Sequence, residues 1–122
     1  MDTRTKILTA DAARRIAGPV VAATGYFDVL RAEHVRELRE LKETRALLLV
    51  VILPLEGELL GQRPRAELVA ALRMVDYVVA AEHGEAEALL DALKPVRVAR
   101  METADARRVR QLIDHVQRRQ RL

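Results

Sequence analysis

One stretch near the amino terminus has the residue order of a phosphate-binding loop. Apolar and small residues 20–24 precede Gly25, and a helical pattern of apolar and charged residues begins at Ala32. A strand, a glycine turn and a helix start together present backbone N–H groups to an anion. The pattern therefore predicts a phosphate contact near Gly25, where the backbone needs either positive φ or a close approach by another group.

Other reactive side chains are sparse. The chain has no cysteine, which excludes disulfides, thiolate metal ligands and cysteine nucleophiles, and fits a reducing compartment. His34 and His83 have no further ligand at a spacing typical of a metal centre, so we predict no metal site. His83 is a ligand candidate only because it follows a predicted strand.

The composition limits the classes of partner. The 122 residues suit a single domain with its own core. Lys and Arg total 21 against 18 Asp and Glu, and this small surplus in a chain with 32% charged residues argues against a nucleic-acid partner. No apolar run approaches the ~18 residues that span a bilayer, and Met1 is not followed by the apolar core of a signal peptide. We therefore expect a cytoplasmic protein that does not enter a membrane.

Strands and helices alternate along the chain. The predicted strands cover residues 20–24, 46–53, 77–81 and 96–99, and the predicted helices cover residues 10–17, 32–44, 64–75, 85–93 and 104–120. Short links between them favour right-handed βαβ units. The expected fold class is α/β, a Rossmann-like open parallel sheet of four to five strands with helices on both faces. Residues 1–122 are expected to form one domain, with a short N-terminal helix and a C-terminal helix.

The segment from Thr24 to His34 resembles the signature of the cytidylyltransferase-like nucleotidyltransferases, G-x-F-D-x-x-H-x-G-H. The matching positions are Gly25, Phe27, Asp28 and His34. Residues 65–79 are similar to a helix and strand of the same family, and residues 88–95 also have a counterpart there. The resemblance covers residues 6–98, and within the family it is strongest to the nucleotidyltransferase domain of ADP-heptose synthases.

This resemblance implies transfer of a nucleotide monophosphate from ATP or CTP to a phosphorylated sugar or alcohol, with release of pyrophosphate. Mg²⁺ is the cofactor that it implies for an active enzyme, and a homodimer is the expected assembly. The catalytic residues that the resemblance implies are His34 and Arg31, which stands where the family has its first histidine. The implied nucleotide or phosphate contacts are Thr24, Gly25, Tyr26, Phe27, Asp28, Arg100 and Thr103.

The sequence departs from the family signature at the site itself. Arg31 replaces a histidine, and Glu33 replaces the glycine that lets the nucleotide approach the backbone. Two unit charges about 4 Å apart repel by about 4 kcal/mol at intermediate dielectric, so Glu33 opposes a triphosphate. The same carboxylate suits a helix N-terminus. Residues 100–108 also lack the family's lysine-glycine loop and its Ser/Thr-rich turn.

Three functions remain open at this point. The first is a nucleotidyltransferase-like protein with a degenerate site, impaired in catalysis, retaining weak nucleotide or phosphate binding and needing no cofactor. The second is an active, divergent nucleotidyltransferase in which Arg31 replaces histidine and Arg100 or Arg107 supplies positive charge. The third is a non-catalytic oligomerisation or scaffold module, which would bind a partner or a second copy through an edge strand or the last helix.

Overall fold

A computed structural model of the chain describes residues 2–58 and 60–103. Its strands are β1 (Ile7–Leu8), β2 (Val20–Gly25), β3 (Leu47–Ile52), β4 (Tyr77–Ala80) and β5 (Arg97–Arg100). Its helices are α1 (Ala10–Ala13), α2 (Ala32–Leu41), α3 (Gln62–Ala70) and α4 (Glu85–Leu93), and a 3-10 turn at Thr3–Lys6 precedes β1. The predicted helix over residues 104–120, with Arg107, lies outside the described residues.

The strands form one sheet in the order β1-β4-β3-β2-β5, and every neighbouring pair is parallel. Helices α2 and α3 pack on one face through Leu38 and Val69, whereas α1 and α4 pack on the other through Ala13 and Leu89. Because β2 and β3 are covered on both faces, their residues are apolar or small and almost all buried. The α/β class, the open parallel sheet and the helices on both faces are confirmed.

The order of the strands reverses at β2. The chain runs from β2 through β3 to β4 towards one edge, and then crosses back to place β5 on the other side of β2. In open parallel sheets, ligands bind beyond the carboxyl ends of the strands at such a reversal. Thr24 and Arg100 are register partners there, and Gly25 is paired with Ile52 on the opposite side.

Several predicted boundaries were wrong. Helix α1 ends at Ala13 and α2 at Leu41, whereas the sequence predicted ends at residues 17 and 44. The backbone of Lys42 is extended, and its ammonium donates to Asp76 Oδ2 at 2.6 Å and to the carbonyl of Ala46 at 2.9 Å. Lys42 leaves the helix to make these bonds, which join the end of α2 to the residues that precede β3 and β4.

Helix α3 begins two residues before the predicted start and ends five residues before the predicted end. Its first residue, Gln62, donates from Nε2 to the carbonyls of Ile52 at 3.0 Å and Ala81 at 2.6 Å. Pro64 is tolerated in the first turn, where an N–H group has no intrahelical acceptor. Strand β1 was not predicted, since two residues are too few to show a periodic pattern.

Candidate functional site

Gly25 is required by a neighbouring side chain. It is the last residue of β2 and does not have positive φ, whereas Phe27 does, at 51°. A Cβ atom at Gly25 would lie 2.6 Å from Phe27 Cε2, inside any real contact distance. The close approach predicted from the sequence is therefore made by the Phe27 ring, which is 1% exposed and belongs to the core.

Arg31 and His34 form the start of helix α2. Arg31 is the N-cap, and its backbone N–H donates to His34 Nδ1 at 3.0 Å. The His34 side chain is 3% exposed and meets the Phe27 ring edge-on, with 5.5 Å between ring centroids. Because Nδ1 accepts a hydrogen bond, the neutral imidazole carries its proton on Nε2. His34 thus caps and packs the helix, while the Arg31 side chain is exposed.

Thr24 is bonded to a carboxylate that the sequence analysis did not single out. The residue is fully buried, and its hydroxyl lies 2.7 and 2.8 Å from the two carboxylate oxygens of Glu102. Glu102 comes two residues after β5, whose last residue is the register partner of Thr24. A negative charge consequently lies at the carboxyl end of β2, where a phosphate group was expected.

Arg100 is ion-paired with helix α4. Its Nη1 and Nη2 atoms donate to the two carboxylate oxygens of Glu87, at 2.6 and 3.1 Å. The hydrogen bond lowers the pKa of Glu87 below its ordinary value and raises the pKa of Arg100 above its own. Thr103 is exposed and is the last described residue. The structure brings Thr24 and Arg100 together, and each is bonded to a carboxylate.

Tyr26 lines a cavity of about 300 Å³ at the carboxyl edge of the sheet. The cavity is bordered by residues that follow β2, β3 and β4 and by the first turn of α4: Tyr26, Leu53, Glu82, His83, Gly84 and Glu87. His83 is exposed there. The carboxylates of Glu82 and Glu87 are the charged groups of the wall, so the cavity does not favour an anion.

Arg65 joins the ends of β2 and β3 at this edge. The sequence did not indicate this role. It is 0% exposed, and its Nη1 donates to the carbonyls of Tyr26 at 2.6 Å and Leu53 at 3.1 Å. Its Nη2 donates to Glu58 Oε2 at 2.6 Å. Its place in the sequence could have indicated its burial, because Arg65 precedes the buried Val69 by one helical turn and lies on the apolar side of α3.

Asp28 connects two loops. Its Oδ1 accepts a hydrogen bond from the backbone N–H of Leu60 at 3.0 Å. The loop after β2 is thereby joined to the loop after β3, in parallel with the contacts of Arg65. Asp28 holds these loops through a backbone N–H group, as aspartate often does in turns.

The carboxylates near this edge do not fit a protein-held Mg²⁺ ion. Asp28, Glu87 and Glu102 each accept a hydrogen bond from the protein. In residues 2–58 and 60–103, no three His, Asp or Glu side chains are grouped as metal ligands. Mg²⁺ prefers several oxygen ligands at near-ideal octahedral positions. These side chains do not offer that arrangement.

Acidic residues predominate at the carboxyl edge of the described sheet. The acidic residues in the loops and first helical turns of this edge are Asp28, Glu33, Glu56, Glu58, Glu82, Glu85, Glu87 and Glu102. The basic residues there are Arg31, Arg63, Arg65 and Arg100. Glu33 lies in the first turn of α2, as the sequence predicted. The described residues therefore give this edge an excess of negative charge, which opposes a polyanion.

Several curated proteins are similar to the chain in sequence. It is 36% identical to bifunctional protein HldE of Pelobacter propionicus and 35% identical to that of Geobacter sulfurreducens, in each case over 85 residues. These alignments cover 62% of this chain and 17% of each relative, so the chain spans about a sixth of their length. No protein-family model matches the chain.

A solved structure also shares the fold. The lipopolysaccharide core biosynthesis protein from Thermoplasma volcanium superposes with a TM-score of 0.60 at 25% sequence identity. The match covers 67% of this chain and 73% of that protein. No helix in the described part of the chain is long and apolar enough to cross a membrane. These similarities in sequence and structure support the resemblance of the chain to the cytidylyltransferase-like nucleotidyltransferases.

Proposed function

We propose that this chain is a nucleotidyltransferase-like protein whose site is impaired in catalysis and retains weak binding of nucleotide or phosphate. The observation that carries the proposal is the Glu102 carboxylate, held by the buried Thr24 hydroxyl where the strand order reverses. A triphosphate placed there would meet a fixed negative charge. At about 4 Å and intermediate dielectric the repulsion is about 4 kcal/mol, equivalent to about a thousandfold in affinity.

The positive groups near the site support the same proposal. Arg100 is paired with Glu87, and Arg65 is paired with Glu58. A phosphoryl-transfer site works by electrostatic stabilisation of charge on the transferred group, with cations and N–H groups held ready for it. Here the guanidinium groups already have carboxylate partners, so a nucleotide would have to displace them.

Residual anion binding is supported at the start of α2. Arg31 is exposed at the N-cap, and the positive end of the helix macrodipole lies at the same point. An exposed guanidinium can donate two hydrogen bonds to one phosphate group. The binding would be weak, because Glu33 lies in the same first turn.

Calorimetric titration with ATP and with CTP, each with Mg²⁺, tests the proposal. We expect dissociation constants in the millimolar range and no release of pyrophosphate when a phosphorylated sugar is added. Arg31→His with Glu33→Gly restores the family signature and should raise nucleotide affinity at least tenfold, and addition of Glu102→Gln should raise it further. Arg39→His with Glu40→Gly, which makes the same changes at exposed positions of α2, should leave affinity unchanged.

Each alternative function predicts a different result. Pyrophosphate release by the unaltered chain would establish the active, divergent nucleotidyltransferase. Absence of nucleotide binding by both the unaltered and the reverted chain would favour the scaffold module. The cytoplasmic location and the homodimer stay predictions, and sedimentation analysis of the purified chain would test the second.

A further inference from the structure

The guanidinium group of Arg65 is held on one side by two backbone carbonyls. Nη1 donates to Tyr26 and Leu53, at the ends of β2 and β3, so the group is fixed by the sheet. The side chain is 0% exposed and lies among core residues of α3, such as Ala66 and Val69. Because arginine stays charged in proteins, a counter-charge is needed at this depth.

On the opposite edge of the guanidinium group, only one of two N–H groups has an acceptor in the described part of the chain. The edge formed by Nε and Nη2 matches the two oxygens of one carboxylate or phosphate group. Glu58 places one oxygen, Oε2, at 2.6 Å from Nη2. The Nε atom is buried and has no acceptor among residues 2–58 and 60–103. Buried N–H groups are nearly always hydrogen-bonded, so this one calls for an explanation.

We propose that the Nε and Nη2 edge of Arg65 is an oxoanion-binding site and that Glu58 is its exchangeable internal occupant. The Glu58 side chain is 34% exposed, so it can rotate into water, whereas Arg65 is fixed by the two carbonyls. The ligand is a phosphate or carboxylate group with two oxygens that bridge Nε and Nη2. Rotation of Glu58 into water opens the path by which such a ligand would reach this edge.

The Arg65 site is separate from the proposed function, since binding there requires neither a nucleotide nor any transfer step. It assigns a ligand class to a buried cation on α3, apart from the anion contact at the start of α2. Separate experiments test the two sites, so one proposal can be overturned while the other stands. Nucleotide affinity restored by Arg31→His with Glu33→Gly tests α2, whereas binding of a simple oxoanion tests Arg65.

The experiment compares Glu58→Gln with Glu56→Gln, which removes the same charge from an exposed residue of the same loop. Each full-length variant is titrated with inorganic phosphate and, in a second arm, with acetate. We expect Glu58→Gln to bind one of these anions at least tenfold more tightly than the unaltered chain, and Glu56→Gln to show no gain. A gain for phosphate alone identifies phosphorylated ligands, and an equal gain for acetate identifies carboxylates in addition.

NMR spectroscopy tests whether Arg65 binds the anion without a substitution of Arg65 itself. In arginine-labelled Glu58→Gln protein, the slowly exchanging Nε–H resonance of Arg65 should shift as phosphate is added. Arg65→Lys in the Glu58→Gln background should abolish the gain in affinity. An equal gain in both glutamine variants would show a general charge effect and overturn the proposal. An Arg65 resonance that does not move at saturating phosphate would overturn it as well.

Discussion

The buried Thr24 hydroxyl lies 2.7 Å from one carboxylate oxygen of Glu102 and 2.8 Å from the other, across 78 positions of sequence. Thr24→Val keeps the shape of the side chain and removes the donor. Because a hydrogen bond to a charged group is lost, the free energy of unfolding should fall by about 1 to 2 kcal/mol. Urea denaturation at neutral pH measures the change. In a Glu102→Gln background the loss should be smaller, and an equal loss in both backgrounds would show that the pair does not interact.

Gly25→Ala should destabilise the fold by about 2 kcal/mol, because overpacking of a core forces neighbouring groups to move. The new Cβ would lie 2.6 Å from Phe27 Cε2. Thermal unfolding followed by circular dichroism is the measurement. Phe27→Leu shortens the opposing side chain, so the double variant should lose less stability than the sum of the two single changes. Simple additivity would mean that the ring is not the reason for the glycine.

His34→Leu should lower the free energy of unfolding by about 1 kcal/mol, since the Arg31 N–H loses its acceptor at the start of α2. His34→Gln should cost less, because glutamine at this position can accept the same bond. The exposed His83 provides the control, and His83→Leu should change stability by no more than about 0.5 kcal/mol. If both leucine variants were equally stable, the capping role would be refuted.

Arg100→Gln should raise the pKa of Glu87 towards its ordinary value, because the hydrogen bond from Arg100 is what lowers it. A carboxyl group with a lowered pKa in the folded state stabilises the fold above its unfolded pKa, and this contribution is lost as pH falls through the folded pKa. The variant should therefore lose less stability on acidification than the unaltered chain. Both groups are exposed, so added salt should reduce the difference.

An NMR titration of the Glu87 carboxyl carbon checks this expectation directly. Asp2 serves as the internal control, because its pKa is lowered by the hydrogen bond from Arg4, at the other end of the described chain. Its titration should be the same in both proteins. An unchanged Glu87 titration in the Arg100→Gln variant would contradict the assigned cause.

Local patterns in the sequence were sufficient to predict the α/β class and the open parallel sheet, but not β1 or the ends of several helices. The apolar run that became β3 was predicted because its information lies in neighbouring residues. Gly25 was predicted as a turn after β2, whereas it is the last residue of that strand. The contacts of Arg65 and Glu102 were not, because each depends on segments that meet only in the folded chain. A charged residue on a helix ordinarily indicates a solvated face. The burial of Arg65 becomes visible only once the strands that supply its carbonyl acceptors are placed.

The acidic carboxyl edge also affects a ligand before any contact forms. Glu82 and Glu102 lie on this edge, so its described residues should repel an approaching anion and lower its rate of encounter. Salt screens this repulsion over about 10 Å at 0.1 M ionic strength. Association of ATP with this chain should consequently become faster as salt is added, whereas proteins that attract nucleotides electrostatically show the opposite dependence.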